Sequence, residues 1–485
     1  MEALGVTTQA AAPGYQRYRV MWALVPAMAM VMIDFTIVSI SATTIQRDLD
    51  LSSTGVQWMV TAYALATAAF IALGGRLGDI IGHKRIVAIG VIVFAGFSLL
   101  CGLTPDGWGS EPWMIVCRTF QGIGGALLIP STTVLVLNSF PPEERGKGLA
   151  VFFIVAGLFT AVGPIAGSYL TEYWTWRAIF WINVPVALLS LTEFAFVKIS
   201  DVAHPARIDW GGALLSVAGM GLTVVGIQQS TVWGWGDPAT LGSIAAGVAL
   251  LVAFVFYERN QEAPLIDVRE IVASRPFLVD CILTLLLFFT WLAVFFFGSM
   301  YFQVSVGQPP AQAGFSILTM FYSFFAASRI GGGMLDKTGA KIPVSLGLLG
   351  IAVGLWLWGG ELSELSHTGT LAGMLVTGAG FGLAMSALNT DALDRAPAAS
   401  RGVASGVIQS FRNFGSALGM AILGTIVLTD APDQAANGSV AAGEAVAKGF
   451  ADSLQTAFYV GAAVMLVAFV LARLLMPSGK QAGVE

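Results

Sequence analysis

The chain has 485 residues, of which 56% are hydrophobic and only 11% charged, against the roughly 25% of charged residues usual in a soluble domain. With a mean hydropathy of +0.78 there is too little polar surface to cover a water-soluble particle of 50.9 kDa, so a soluble enzyme, a disordered chain and a fibrous chain are all excluded. The net charge of −5 says little about partners, because position outweighs sum in a membrane protein, and no basic block points to nucleic acid. A membrane helix needs about 20 mostly apolar residues. In chain order such spans fall near 20–45, 56–78, 86–104, 112–138, 147–171, 178–197, 209–230 and 239–258. Six more follow near 277–303, 311–335, 342–360, 369–391, 402–428 and 453–475. The apolar–polar alternation of a membrane barrel is missing, so the fold expected is an all-α integral membrane protein of fourteen spans. The first span is too long for a cleaved signal peptide and reads as a retained helix. Cys101, Cys117 and Cys281 lie in apolar segments without metal-ligand spacing and read as small packing residues, although Cys101 and Cys117 are placed to approach each other.

Orientation follows from the basic residues. With a cytoplasmic N-terminus, nineteen lysines and arginines fall on the inner side and three (Arg47, Arg177 and Lys448) on the outer, while Arg118 and Arg412 lie within spans. That bias places both termini in the cytoplasm. The sequence also repeats. Gly75, Asp79, Gly82 and Lys84 after the second span are echoed by Gly332, Asp336, Gly339 and Lys341 after the tenth, 257 residues later. Gly122 and Gly124 in span 4 are echoed by Gly378 and Gly380, and Arg145-Gly146 by Arg401-Gly402, at an offset of 256. The pattern predicts two six-helix bundles related by a pseudo-twofold axis along the membrane normal, with spans 7 and 8 inserted between them. The boundaries expected are a tail at 1–19, a bundle at 20–197, the insert with its loops at 198–276, a second bundle at 277–475 and a tail at 476–485.

These residues carry a family resemblance. The run from Gly75 to Lys84 resembles the loop signature of the major facilitator superfamily, and Arg118 to Ala126, with Gln121, Gly122 and Gly124, resembles the span-4 signature of its proton-coupled members. Gly157, Gly163, Pro164, Gly167 and Ser168 resemble the span-5 signature of exporters that exchange substrate for protons. Asp34 with Thr36, and Trp176-Arg177 through Asn183 and Pro185, are similar to markers of the fourteen-span drug/proton antiporter branch. The resemblance implies a proton-coupled antiporter that exports hydrophobic or cationic small molecules by alternating access. It further implies no cofactor beyond the proton gradient, and small-molecule substrate, protons and lipid as partners, with a monomer expected. The competing readings are an exporter or symporter dedicated to one metabolite, and a non-transport receptor. No phosphate-binding Gly-x-x-x-x-Gly-Lys-Ser/Thr loop supports ATP-driven transport.

Asp34 stands mid-span, where an ionised carboxylate costs about 2.5–3.5 kcal/mol on insertion scales, so reversible protonation or cation binding is its expected work. Taken by itself, Asp34→Asn relieves that cost and is expected to insert at least as well as the parent. Arg118, inside span 4, stays charged and needs a partner, and Gln121 lies one turn beyond it. Arg412 has a similar claim, but the glycines at 415 and 419 favour a packing role for its helix face. The resemblance implies that Gly157, Gly163, Pro164 and Gly167 gate the bundle interface, where the residues alone read as an ordinary Gly/Pro kink, and substitution at Gly163 or Pro164 is expected to leave the fold intact. In the loops, Asp79 is expected to cap the start of span 13 in the other bundle, whereas Asp336 reads as a solvated turn. Among the aromatics of spans 9 and 10, Phe288, Trp291 and Phe295 share a helical face and are candidates for a cavity wall, while most of the others read as lipid-facing. Glu193, Asp280 and Asp391 sit near inner span ends and read as capping or snorkelling acids.

Overall fold

The computed structural model describes residues 14–107, 109–141, 144–197, 201, 208–261, 264–266, 268–269, 274–395, 401–429 and 440–479. Its principal helices begin with α1 (Gly14–Leu49), α2 (Ser53–Ile81), α3 (His83–Gly102), α4 (Ser110–Ser139), α5 (Arg145–Tyr173), α6 (Ala178–Trp181) and α7 (Asn183–Phe196). There follow α8 (Trp210–Trp233), α9 (Pro238–Glu258), α10 (Arg275–Val304), α11 (Pro310–Thr338), α12 (Lys341–Glu361), α13 (His367–Arg395), α14 (Arg401–Thr429) and α15 (Val440–Leu475). Among the described residues, thirteen helical segments are long and apolar enough to cross a membrane, α6 and α7 counting as one. The 29-residue α5 stands where the chain order requires the fourteenth. The protein is a multi-pass membrane protein.

Local chemistry sets the ends and breaks. Asp209 and Asp237 cap α8 and α9 by accepting from the backbone N–H of Gly212 (2.8 Å) and Ala239 (2.7 Å). The sixth span breaks at Ile182 because Pro185 has no N–H to give the carbonyl of Trp181, four residues earlier. The break is held from the side: Asn183 donates to Ser98 Oγ at 2.9 Å, and Ser98 donates to the Phe180 carbonyl at 2.8 Å.

The repeat read from the sequence is present in the packing. In the first half α1 lies on α5, α2 and α3 lie on α4, and α7 lies on α1 and α3; in the second half α10 lies on α14, α11 and α12 lie on α13, and α15 lies on α10 and α12. Two pseudo-symmetric bundles result, and they meet through the related pairs α2–α14 and α5–α11 and through α1 against α10. The inserted pair packs through α8 on α2 and α14, where the Trp58 indole donates to Gln229 at 3.1 Å. On α9, Leu241, Val248, Val252 and Phe256 are exposed, as suits a lipid-facing helix.

Among the described residues, the side-chain hydrogen bonds that join the two bundles fall at one end of the molecule, that of the α1–α2 turn. Gln303 of α10 donates to the Ile40 carbonyl (2.9 Å), Gln57 of α2 donates to the Met420 carbonyl (2.6 Å), and Glu172 of α5 accepts from the Ala311 N–H (2.7 Å). The apolar core follows the same division. Ile37 to Ala64 and Trp176 to Phe180 belong to one cluster with the second bundle, whereas Val20–Val31, Leu135–Phe140 and Ala187–Val197 form a cluster of their own. The molecule is therefore sealed at the α1–α2 end, and the bundles are cored separately toward the end that carries most of the basic residues.

The aromatic-rich α10 departs from expectation. Phe288, Phe289, Trp291, Phe295, Phe296 and Phe297 are all buried, as is Phe321 on α11, while Tyr322 is exposed. They are not lipid-facing, because α10 is gripped by α1, α11, α13, α14 and α15 and every residue from 287 to 302 is buried.

Candidate functional site

Asp34, near the middle of α1, is fully buried at 0% exposure, and Arg118 on α4 is 1% exposed. The Arg118 guanidinium donates through Nη1 to Asp34 Oδ2 at 2.6 Å and to Gln121 Oε1 at 2.8 Å, and through Nε to the Met59 carbonyl at 3.0 Å. Gln121 Nε2 donates to the other oxygen, Asp34 Oδ1, at 2.8 Å. The guanidinium carbon lies 4.4 Å from the centre of the Tyr63 ring, a cation–π contact that stabilises the charge by about 2 kcal/mol when desolvated. Sequence reasoning grouped Asp34, Arg118 and Gln121, and the structure brings all three together. It missed Tyr63 and the Met59 carbonyl, since an aromatic and a backbone group on span 2 leave no mark in the sequence.

The pairing adds to Asp34→Asn a cost that the expectation of easier insertion left out. Removing one partner of a buried ion pair costs about 3–5 kcal/mol, because the other charge is left uncompensated. The sequence displayed the insertion cost of Asp34 but not the opposite charge that offsets it.

The span-5 residues sit beside this network. Pro164 cannot donate to the Thr160 carbonyl, and Thr36, two residues after Asp34, donates its hydroxyl to that carbonyl at 2.9 Å. A side chain at Gly163 would strike Thr36 and the Ile33 carbonyl, and one at Gly167 would lie 2.8 Å from the Ile37 carbonyl. Both glycines thus let α5 press on α1, so the expectation that Gly163 tolerates leucine fails on sterics. Gly157 faces open space. On its other side, the Pro164 carbonyl and Ser168 close on Gly314 of α11 across the bundle seam.

At the α2–α3 turn, Gly82 adopts a left-handed φ of +100° that admits the sharp reversal. Among the described residues Asp79 meets groups of its own turn: its Oδ1 lies 3.2 Å from His83 Nε2, and its Oδ2 lies 3.9 Å from Arg76. The side chains at 401–403, its expected target, lie outside the described residues. Buried His83 fills the space beneath Gly78, which sequence reasoning did not foresee. The Lys84 N–H donates to Asp201 at 2.7 Å, tying the turn to the chain beyond α7. Gly75 packs on Pro130, and Asp336 is exposed in the matching turn of the second bundle.

In the second bundle, Trp291 and Phe295 turn into an aromatic cluster with Phe321 at 5.9 and 5.6 Å between ring centres, rather than toward an opening. Phe288 does border a cleft, with Arg412 stacked on it at 4.3 Å. Asp280 and Asp391 are buried, not snorkelling: Arg395 approaches them at 3.2 and 2.7 Å and balances one of the two charges. Among the described residues no group of three or more His, Cys, Asp or Glu converges to hold a metal, and the three cysteines are free.

Two parallel six-helix repeats, sealed at one end around a buried acid–arginine pair, have the architecture of a secondary transporter. The chain belongs to the major facilitator superfamily, which it matches over residues 24–420, and to the multidrug-efflux branch of that superfamily. It is 32% identical to the tetracenomycin C resistance and export protein of Streptomyces glaucescens, over 85% of this chain and 76% of that one. It is likewise 32% identical to a puromycin resistance protein of Streptomyces alboniger, over 96% and 93% of the two chains. A solved D-xylose–proton symporter shares the fold with a TM-score of 0.67, at 14% identity over 95% of this chain and 98% of the other.

Proposed function

We propose that this transporter exports hydrophobic small molecules of the drug or antibiotic type, cationic ones included, in exchange for protons, with both termini in the cytoplasm and a single chain as the working unit. The observation that carries the reading is the sealed network of Asp34, Arg118 and Gln121 on helices that touch both bundles. A proton on Asp34 removes the charge that holds Arg118, so the α1–α4 contact weakens. Thr36, on the same helix, reaches the α5 carbonyl that Pro164 leaves free, and α5 in turn bears on α11 across the seam. Protonation is thereby linked to the sealed end by a chain of contacts. Gly157, Gly163, Pro164 and Gly167 form the flexible part of that chain, and the turns at Gly75–Lys84 and Asp336 stabilise the bundles at the opposite end. The names of the relatives, two of which speak of resistance to an antibiotic, support the direction of transport.

The test is uptake into everted membrane vesicles from cells making the protein, with puromycin, ethidium and fluorescein as probes. Uptake should collapse with a protonophore and be indifferent to vanadate. Uptake that survives a collapsed gradient and follows ATP would refute proton exchange.

A further inference from the structure

Proton exchange at Asp34 does not use the acids at the basic end of the second bundle. Asp280 of α10 and Asp391 of α13 are 1% and 2% exposed, and their carboxyl groups lie within hydrogen-bond reach of each other where the two helices touch. Arg395 forks onto Asp391, with Nε 2.7 Å from Oδ2 and Nη2 3.1 Å from Oδ1. The same Nε lies 3.2 Å from Asp280 Oδ2, but its single proton is directed at Asp391. Among the described residues, neither Asp280 oxygen accepts a hydrogen bond. The Thr284 hydroxyl, one turn along, donates to the Asp280 backbone carbonyl at 2.8 Å and not to the carboxyl. The surroundings are otherwise apolar: Phe277 and Cys281 of α10, Ala392 of α13, and Ala404, Val407 and Ile408 of α14 form one buried cluster, with Ile266 of the preceding loop against it. Among the described side chains, the charged groups that face Asp280 are thus Asp391 and Arg395, both on α13.

Two ionised carboxylates are acceptors only, and out of water their charges repel. A proton on one of them turns the facing pair into a donor and an acceptor and supplies the hydrogen bond that Asp280 lacks. Asp280 is the member that carries it, because Asp391 receives both bonds from Arg395 and is held ionised by them. A metal ion in that place would be repelled by the guanidinium 3.2 Å away.

The geometry points to a second proton-binding site: Asp280 holds one proton, shares it with Asp391 while the pair is dry, and releases it when water enters. On release the Asp280 O–H bond breaks, its electron pair stays on the carboxylate and the proton passes to water. Arg395 then lies between two ionised acids, a short move for an Nε already near both. The site gives the second bundle a titratable group of its own, and its use in transport rests on the proton-exchange reading.

The test is infrared spectroscopy of purified, detergent-solubilised protein in which aspartate alone carries heavy carbon at its side-chain carboxyl. At about neutral pH the parent should show a label-shifted carbonyl band of a protonated acid, and Asp34→Asn should keep it. Asp280→Asn should lose the band. Asp391→Asn should lose it too, because Arg395 then turns to Asp280 and ionises it. Should Asp280→Asn fail to fold, Asp280→Glu decides: the acid remains, but its band leaves the labelled set. No labelled band in the parent, a band that survives Asp280→Asn, Asp280→Glu or Asp391→Asn, or one that disappears in Asp34→Asn overturns the proposal. In liposomes Asp280→Asn should move fewer protons per probe molecule than the parent, and an equal ratio overturns the use in transport. No gradient enters the infrared assay. A protein that shows the band and its losses yet fails in everted vesicles refutes proton-driven export and leaves the proton site standing.

Discussion

Asp34 and Arg118 each cost energy alone and offset one another as a pair 2.6 Å apart with no water-exposed face. Asp34→Asn and Arg118→Gln should therefore each destabilise the solubilised protein by about 3–5 kcal/mol, while the double variant regains part of the loss because no lone charge remains. Thermal unfolding of the four proteins measures this, and additive losses in the double variant would show that the two side chains do not act as a pair. The participants were legible in the sequence because ionisable residues in apolar spans stand out. Their partnership was not, since 84 positions separate them and only the crossing of α1 and α4 joins them. The same limit applies to Asp280 and Asp391, which looked like span-end acids until Arg395 was seen between them. Arg395→Ala should leave two buried carboxylates facing each other and lower stability by about 3–5 kcal/mol; a loss under 1 kcal/mol would mean the cluster is wet.

At the scale of the helix, α5 carries two kinds of glycine that read alike in the sequence. Gly157 opens on empty space and Gly163 presses on the backbone of α1. Alanine at 157 should be neutral or slightly stabilising, and alanine at 163 should cost about 1–3 kcal/mol by overpacking and slow transport. Equal behaviour of the two variants would contradict the contact. Pro164→Ala restores the donor for the Thr160 carbonyl, so α5 should keep its fold and lose its dependence on the Thr36 hydroxyl; Thr36→Val would then be mild in that background and harmful in the parent. Span number and helix type were legible because length and hydropathy decide them. The break at Ile182 and the glycine contacts were not, because they depend on neighbours remote in the chain.

For the molecule as a whole, the twofold repeat was readable from the matched offsets, and the paired contacts of α2 with α14 and of α5 with α11 follow from that symmetry. Which end is closed had no signature, since Thr43, Gln57 and Gln303 are single polar residues whose partners lie in the other bundle. If closure alternates, linking Thr43→Cys to Gln303→Cys with a short bifunctional thiol reagent should stop transport, and reduction of a cleavable linker should restore it. The native cysteines are buried and leave the reagent to the new pair. Transport at the parent rate in the linked protein would show that this end need not open. The central claim, that Asp34 couples proton movement to transport, is tested most directly in liposomes carrying the purified protein under an imposed pH gradient. Accumulation of a transported probe is measured for the parent and for Asp34→Asn, alongside gradient-free exchange of the same probe. The account predicts accumulation by the parent, none by Asp34→Asn, and exchange by both. Equal gradient-driven accumulation by the two proteins would contradict it.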